Sequence, residues 1–128
     1  MNRRHNPTGV HAPLSSYVHG VEAPAGARWL HISGQVGIAP DGRVGTTFEE
    51  QAELAWSNLL AVLKSAGMGP ADLVKVTTYL TRREDIKANR AARDKHMAGA
   101  TAASTMVLIS GLAAPELLIE VEAHAAKA

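Results

Sequence analysis

Between Thr47 and Leu80 the hydrophobic residues change period, and that change constrains the fold more than any other feature of the chain. Ala52, Ala55, Leu59, Val62 and Ala66 recur at spacings of three and four, and Leu60 and Leu63 widen the stripe. Such a segment is expected to bury one face of an α-helix. Thr47-Phe48-Glu49-Glu50 has the Thr-x-x-Glu form of a capping box at its start, and Gly67 suits the residue that closes a helix. Soon afterwards the period is two. From Leu73 to Leu80, Val74, Val76, Thr78 and Leu80 share one face, with Lys75, Thr77 and Tyr79 on the other. That is the alternation of a strand.

The remaining elements follow from punctuation and periodicity. Tyr17 to Glu22 and Trp29 to Ser33 read as two strands joined by the turn at Ala23-Pro24-Ala25-Gly26, which predicts a hairpin. Glu84 to Met97 reads as a second, charge-rich helix. Thr105 to Ile109 and Leu117 to Ala125 read as the last strands, joined through Ser110 to Pro115. The expected order is ββ-α-β-α-ββ. Strands interleaved with helices indicate an α/β or α+β class, a mixed sheet with two helices on one face. One domain over residues 1–128 is expected, with 1–12 as a loose lead-in. Tyr79, Leu118 and the aliphatic residues from Met106 to Ile109 are too apolar for a wet surface, so the sheet face without helices is expected to form an oligomer interface.

Composition narrows the function classes. The net charge of +1 sets up no field that would recruit nucleic acid or an anionic membrane. There are no cysteines, so thiol nucleophiles and thiolate metal sites are excluded. No apolar run reaches the roughly 20 residues of a membrane helix, and Met1 to Ala12 does not read as a secretion signal; a cytoplasmic location is the expectation. The six histidines form no i,i+2 or i,i+4 pair, and no His-Glu-x-x-His occurs, so no metal site is expected. His124 is assigned a structural role. Arg83, Lys87 and Arg90 share a helix face, but Glu84, Asp85 and Asp94 are interleaved and aromatics are 4% of residues. A solvated helix face is the better reading than an RNA surface.

Four places resemble the Rid (YjgF, RidA-like) family of reactive intermediate deaminases. They are Ser16-Tyr17-Val18-His19-Gly20, Ser33-Gly34-Gln35, Asn89 in the second helix, and Ile119-Glu120-Val121-Glu122-Ala123 in the final strand. Each is weak alone; their order and spacing run from about Pro13 to Ala125. The resemblance implies a chorismate-mutase-like fold, a homotrimer, and clefts between subunits that bind a small polar metabolite without a cofactor. In the deaminating branch the reaction is hydrolysis of an amino-acid-derived imine or enamine. The resemblance implies Glu120 as the group that orients water. It implies Tyr17, Ser33, Gly34, Asn89, Ser104, Thr105 and Met106 as substrate-binding residues.

The chain departs from the family at one place that matters. Where the deaminating branch has Pro-x-Arg-Ser/Thr-x-Val, this chain has Ala102-Ala103-Ser104-Thr105-Met106-Val107. Arginine grips a carboxylate through two parallel charge-assisted bonds, and serine offers one neutral donor. The loss corresponds to at least ~10- to 100-fold in affinity for an imino acid. A one-residue length difference near Gly111 to Pro115 would set Thr105 rather than Ser104 opposite the arginine, and neither is basic. Arg28, Arg82 and Arg83 are candidates to supply the missing charge. Three functions stay open at this point: hydrolysis of an imine, enamine or related C–N bond; a non-catalytic metabolite-binding or enzyme-regulating module; and, last, an endoribonuclease or translation inhibitor. Glu120 and Glu122 share a strand face, so a solvated pair of carboxylates is the plain alternative to a water-orienting role for Glu120. The plain alternatives for the others are a strand end at Ser33-Gly34, a half-buried aromatic at Tyr17 and a solvated Asn89.

Overall fold

A computed structural model describes residues 1–128. The elements are β1 (Arg3–His5), β2 (Gly20–Glu22), β3 (Arg28–Val36), α1 (Phe48–Ser65), β4 (Leu73–Leu80), α2 (Ile86–Met97), β5 (Ala103–Leu108) and β6 (Ile119–Lys127). Four strands form one mixed sheet in the order β3-β6-β4-β5. β6 runs antiparallel to β3 and β4, whereas β4 and β5 are parallel. A parallel pair needs a crossover, and α2 supplies it. α1 crosses from β3 to β4, and β6 is inserted between those two strands. The helices pack on each other, and α1 lies across β3 and β6, which gives the expected α+β class.

Local chemistry sets the ends of α1. Thr47 Oγ1 accepts the Glu50 N–H at 3.1 Å, satisfying one orphan donor. The Glu50 carboxylate accepts the Thr46 N–H at 2.9 Å, one residue earlier than the expected box. That contact holds the carboxyl below its ordinary range. At the other end Gly67 has φ 70°. The N–H groups of Gly67 and Met68 return to the Lys64 and Leu63 carbonyls at 3.0 Å each, a complete Schellman closure. Between these ends Ala52, Ala55, Trp56, Leu59 and Leu63 are buried in one core with Ile119, Val121, Ala123 and Ala125 of β6. Truncating one such leucine to alanine costs about 2–5 kcal/mol.

Four expectations change. In β4, Leu73 faces Ala125 and Lys75 faces His124, so Val74 is a bulge. Leu73 takes the inner position that strict alternation gives to Val74. β2 pairs with β1 in a separate two-stranded sheet, not with β3, and β3 stands at the edge of the main sheet with β6 as its one partner. The segment read as a loose lead-in therefore holds a strand, and Asn2 is buried with its Nδ2 donating to the Ala126 carbonyl at 3.0 Å. Leu118 and Met106 pack against the core rather than on the open face. Buried Gln51 fixes Leu118 there: Oε1 accepts the Leu118 N–H at 2.8 Å, and Nε2 donates to the Glu116 and Gly45 carbonyls. This clamp sets the start of β6 and so the register of Glu120.

Candidate functional site

The sheet divides the expected site residues between its two faces. Ser104 and Met106 pair in register with Val76 and Thr78, whose side chains point toward the helices. There a cleft of 170 Å³ lies between β5 and α2. Its lining includes Tyr17, Asn89, Ser104 and Met106. Thr105 falls on the opposite face, where its hydroxyl accepts a hydrogen bond from Lys75 Nζ at 2.6 Å. Glu120, Ser33 and Gly34 are also absent from the cleft.

The N-terminal segment builds one wall of the cleft. The Val18 N–H donates to the Ala102 carbonyl at 3.1 Å, and a parallel bridge joins Val18 to Ala103, so Tyr17 is tethered beside the start of β5. Arg4 strengthens this seam: Nη2 donates to the Thr101 carbonyl at 2.9 Å, and Nε to Thr101 Oγ1 at 3.2 Å. The Tyr17 hydroxyl accepts the Leu14 N–H at 3.3 Å, which folds Leu14 and Ser15 over the mouth.

α2 supplies the opposite wall. Its buried positions are Asn89, Arg93 and Met97, spaced by four and hence on one face. Arg93 is 9% exposed and Asn89 4%, and both line the cleft, with Arg90 at its rim. Arg93 Nε donates to Asp94 Oδ1 at 3.0 Å, and Nη1 to Ser15 Oγ at a long 3.4 Å. Arg93 Nη2 and Asn89 Oδ1 are buried without partners. Arg93 and Ser104 also border a 10 Å³ cavity against Trp56, whose Nε1 is likewise unpartnered.

On the other face Glu120 packs on Gly34. A Cβ at Gly34 would stand 2.5 Å from Glu120 Cδ and Oε2, so only glycine leaves room for the carboxylate where it lies. The β3 register slips between Ile32 and Gln35, which makes Ser33-Gly34 a bulge beneath it. Tyr79 is in register with Glu120, and its hydroxyl donates to Glu122 Oε1. That bond, desolvation, and the negative charges of Glu122 and Glu120 push the phenol above its ordinary value. Further along, His31 and His124 meet through their Nδ1 atoms at 2.8 Å, and Trp29 stacks on His31 with centroids 6.3 Å apart.

Sequence reasoning grouped Tyr17, Ser33, Gly34, Asn89, Ser104, Thr105 and Met106. The structure brings Tyr17, Asn89, Ser104 and Met106 together in the cleft, sets Ser33, Gly34 and Thr105 apart from it, and adds Arg90 and Arg93, which the sequence reading did not assign to the site. None of Arg28, Arg82 and Arg83 lines the cleft. Arg82 is bound to Asp85 at 2.7 Å, and Arg28 pairs in register with Lys127 at the far end of β3. A signal did exist. On the stripe that runs from Ile86 to Met97, the positions between them are Asn89, Arg90 and Arg93, polar where a core-facing stripe is normally apolar. The His31–His124 pair was also invisible, since 93 residues separate the two.

Comparison with known proteins places this geometry in context. The family model described as endoribonuclease L-PSP matches residues 9–127. A RutC family protein of Aquifex aeolicus (strain VF5) is 40% identical over 76 residues, 59% of this chain and 56% of the relative. That match spans just over half the relative's length. The crystal structure of YyfB from Yersinia pestis, a protein of unknown function of the conserved Rid protein family, superposes with a TM-score of 0.87 at 34% identity, covering 97% of both chains. E. coli TdcF with bound serine superposes at 0.72 with 26% identity, covering 93% of this chain and 91% of that one. In sequence TdcF is 29% identical over 73 residues, 56% of this chain and 54% of the relative, and carries the provisional name of reactive intermediate deaminase.

Proposed function

Because the chain belongs to the Rid family of endoribonuclease L-PSP proteins, we propose that it is a deaminase-like protein whose working site forms where copies of the chain meet. The observation that carries this reading is the division of the site residues between opposite sheet faces. Tyr17, Asn89, Ser104 and Met106 line one cleft. Glu120, seated on Gly34, lies on the sheet face that no helix covers. One chain cannot join these halves around a small molecule. A neighbouring copy can, by setting its uncovered face against the cleft mouth. That face carries Trp29 and Val107, 51% and 38% exposed, as an interface would. The family resemblance supports three copies.

In the assembled site a small polar metabolite lies in the cleft while Glu120 of the neighbouring copy orients a water toward a C=N carbon. Attack forms the new C–O bond as the C=N π pair moves to nitrogen. The proton taken up by the carboxylate is returned to that nitrogen, and the C–N bond breaks to release ammonia as the C=O bond forms. The carboxylate accepts a proton from the water, which is general-base work. The bound serine of TdcF supports a ligand of amino-acid size. Thr105, on the same sheet face as Glu120, belongs in this reading to the Glu120 half.

The test is hydrolysis of 2-iminobutanoate generated in situ, with wild type and Glu120→Gln compared. A fall in the catalysed rate of at least ~10²-fold, the usual contribution of a positioned base, with the assembly unchanged in size, is expected. An unchanged rate would remove Glu120 from the mechanism. Saturable binding without turnover in wild type would leave a metabolite-binding module.

A further inference from the structure

Arg93 is a charged group in an unusual position. A guanidinium taken out of water is stable only when paired and fully hydrogen-bonded. Arg93 is 9% exposed, yet its one carboxylate partner is the half-exposed Asp94 and its Nη2 has no partner. The cleft it lines contains Arg90 as well and no Asp or Glu. Arg90 forms no ion pair. Two cations, hydroxyls from Ser15, Thr78 and Ser104, and the unpartnered Asn89 amide oxygen thus surround a space lined also by Leu14 and Met106.

We propose that this cleft binds the carboxylate of a small 2-oxo or 2-imino acid through Arg93 and Arg90, so that α2 supplies the anion anchor that β5 lacks at Ser104. The inference rests on the binding role proposed above and names its ligand class. The charge selects an anion. The planar guanidinium fork matches a carboxylate. Leu14 and Met106 provide an apolar wall for a short aliphatic tail, which inorganic phosphate does not have. A volume of 170 Å³ holds about six groups of water size at roughly 30 Å³ each. A four-carbon 2-oxo acid is of comparable size. Asn89 Oδ1 accepts only, so it suits an N–H on the ligand.

Calorimetric titration of the intact protein with 2-oxobutanoate, 2-oxobutanamide and phosphate tests the proposal. Wild type is expected to bind 2-oxobutanoate and to bind the uncharged amide and phosphate at least ~10-fold more weakly. Arg93→Gln should lose about 10- to 100-fold in affinity for the acid. Arg90→Gln, at an exposed position where misfolding is not a concern, should lose a few-fold because solvent screens it. Adding Ser104→Arg to Arg93→Gln should return part of the affinity, since the charge re-enters the cleft from β5. Equal binding of acid and amide, binding of phosphate as tightly as the acid, no binding of the acid, or full affinity in folded Arg93→Gln would each overturn the anion site. The two readings separate cleanly. Glu120-dependent hydrolysis that ignores Arg93 would sink this inference alone. Arg93-dependent binding with Glu120-independent turnover would support the inference and sink the proposed role of Glu120.

Discussion

Gly34 makes space for a functional group rather than a turn. Because a Cβ there would stand 2.5 Å from the Glu120 carboxylate, alanine must push that side chain aside. The clash is with the far end of a flexible side chain, so the fold can absorb it at small cost. Gly34→Ala should therefore shift Tm by no more than a few degrees while reducing imine hydrolysis at least ~10-fold. Thermal melting and rate assays on the same preparation check this. An alanine variant with wild-type turnover would show that the seat of Glu120 on Gly34 does not matter. The pair was legible in the sequence only as two separate motifs. Their contact depends on a β-bulge, and bulges leave no reliable mark in periodicity.

At the scale of elements, strand alternation was read correctly wherever the ladder is regular and failed where it slips. Glu120, Glu122 and Tyr79 fall on the expected face, and β6 aligns them with β4. Val74 does not fall where alternation put it, because the bulge shifts the strand by one residue. The cross-strand bond from Tyr79 to Glu122 has a consequence for stability in alkali. The folded phenol titrates above its ordinary value of 10.0, so above pH 10 the folded chain holds a proton that the unfolded chain has released. Stability from this group is complete below about pH 10 and falls as pH rises through the folded value. Unfolding midpoints in urea should stay level from pH 8 to about 10 and decline above it, and Glu122→Gln should flatten the decline. A Tyr79 absorbance titration centred at 10 in the folded protein would contradict it. The helices show the same division: caps and apolar stripes were legible, but Arg90 was read on a solvated face with Arg83 and Lys87 and Arg93 was not singled out, because a helix face does not state what it faces.

At the scale of the whole molecule, the prediction concerns assembly. If the uncovered sheet face meets the cleft of a second copy, wild type should elute at three times the chain mass in light-scattering chromatography. Trp29→Asp, which places a charge in that interface, should shift the population toward monomer and lose hydrolysis together with assembly. A monomeric wild type with full activity would require both site halves to act within one chain, contrary to the proposal.

The sequence by itself determined the class of fold, the secure elements and the family, because helix caps, hydrophobic period and short ordered motifs are local properties that neighbouring residues dictate. It also showed that no arginine stands at Ser104. Only the tertiary structure decided that Gly34 of β3 seats Glu120, that Val18 ties the N-terminal segment to β5, and that Arg93 rather than Arg28, Arg82 or Arg83 stands in the cleft. These outcomes depend on strand register, a bulge and the docking of α2 over β5. All three are contacts between distant residues, whose energies no local pattern records.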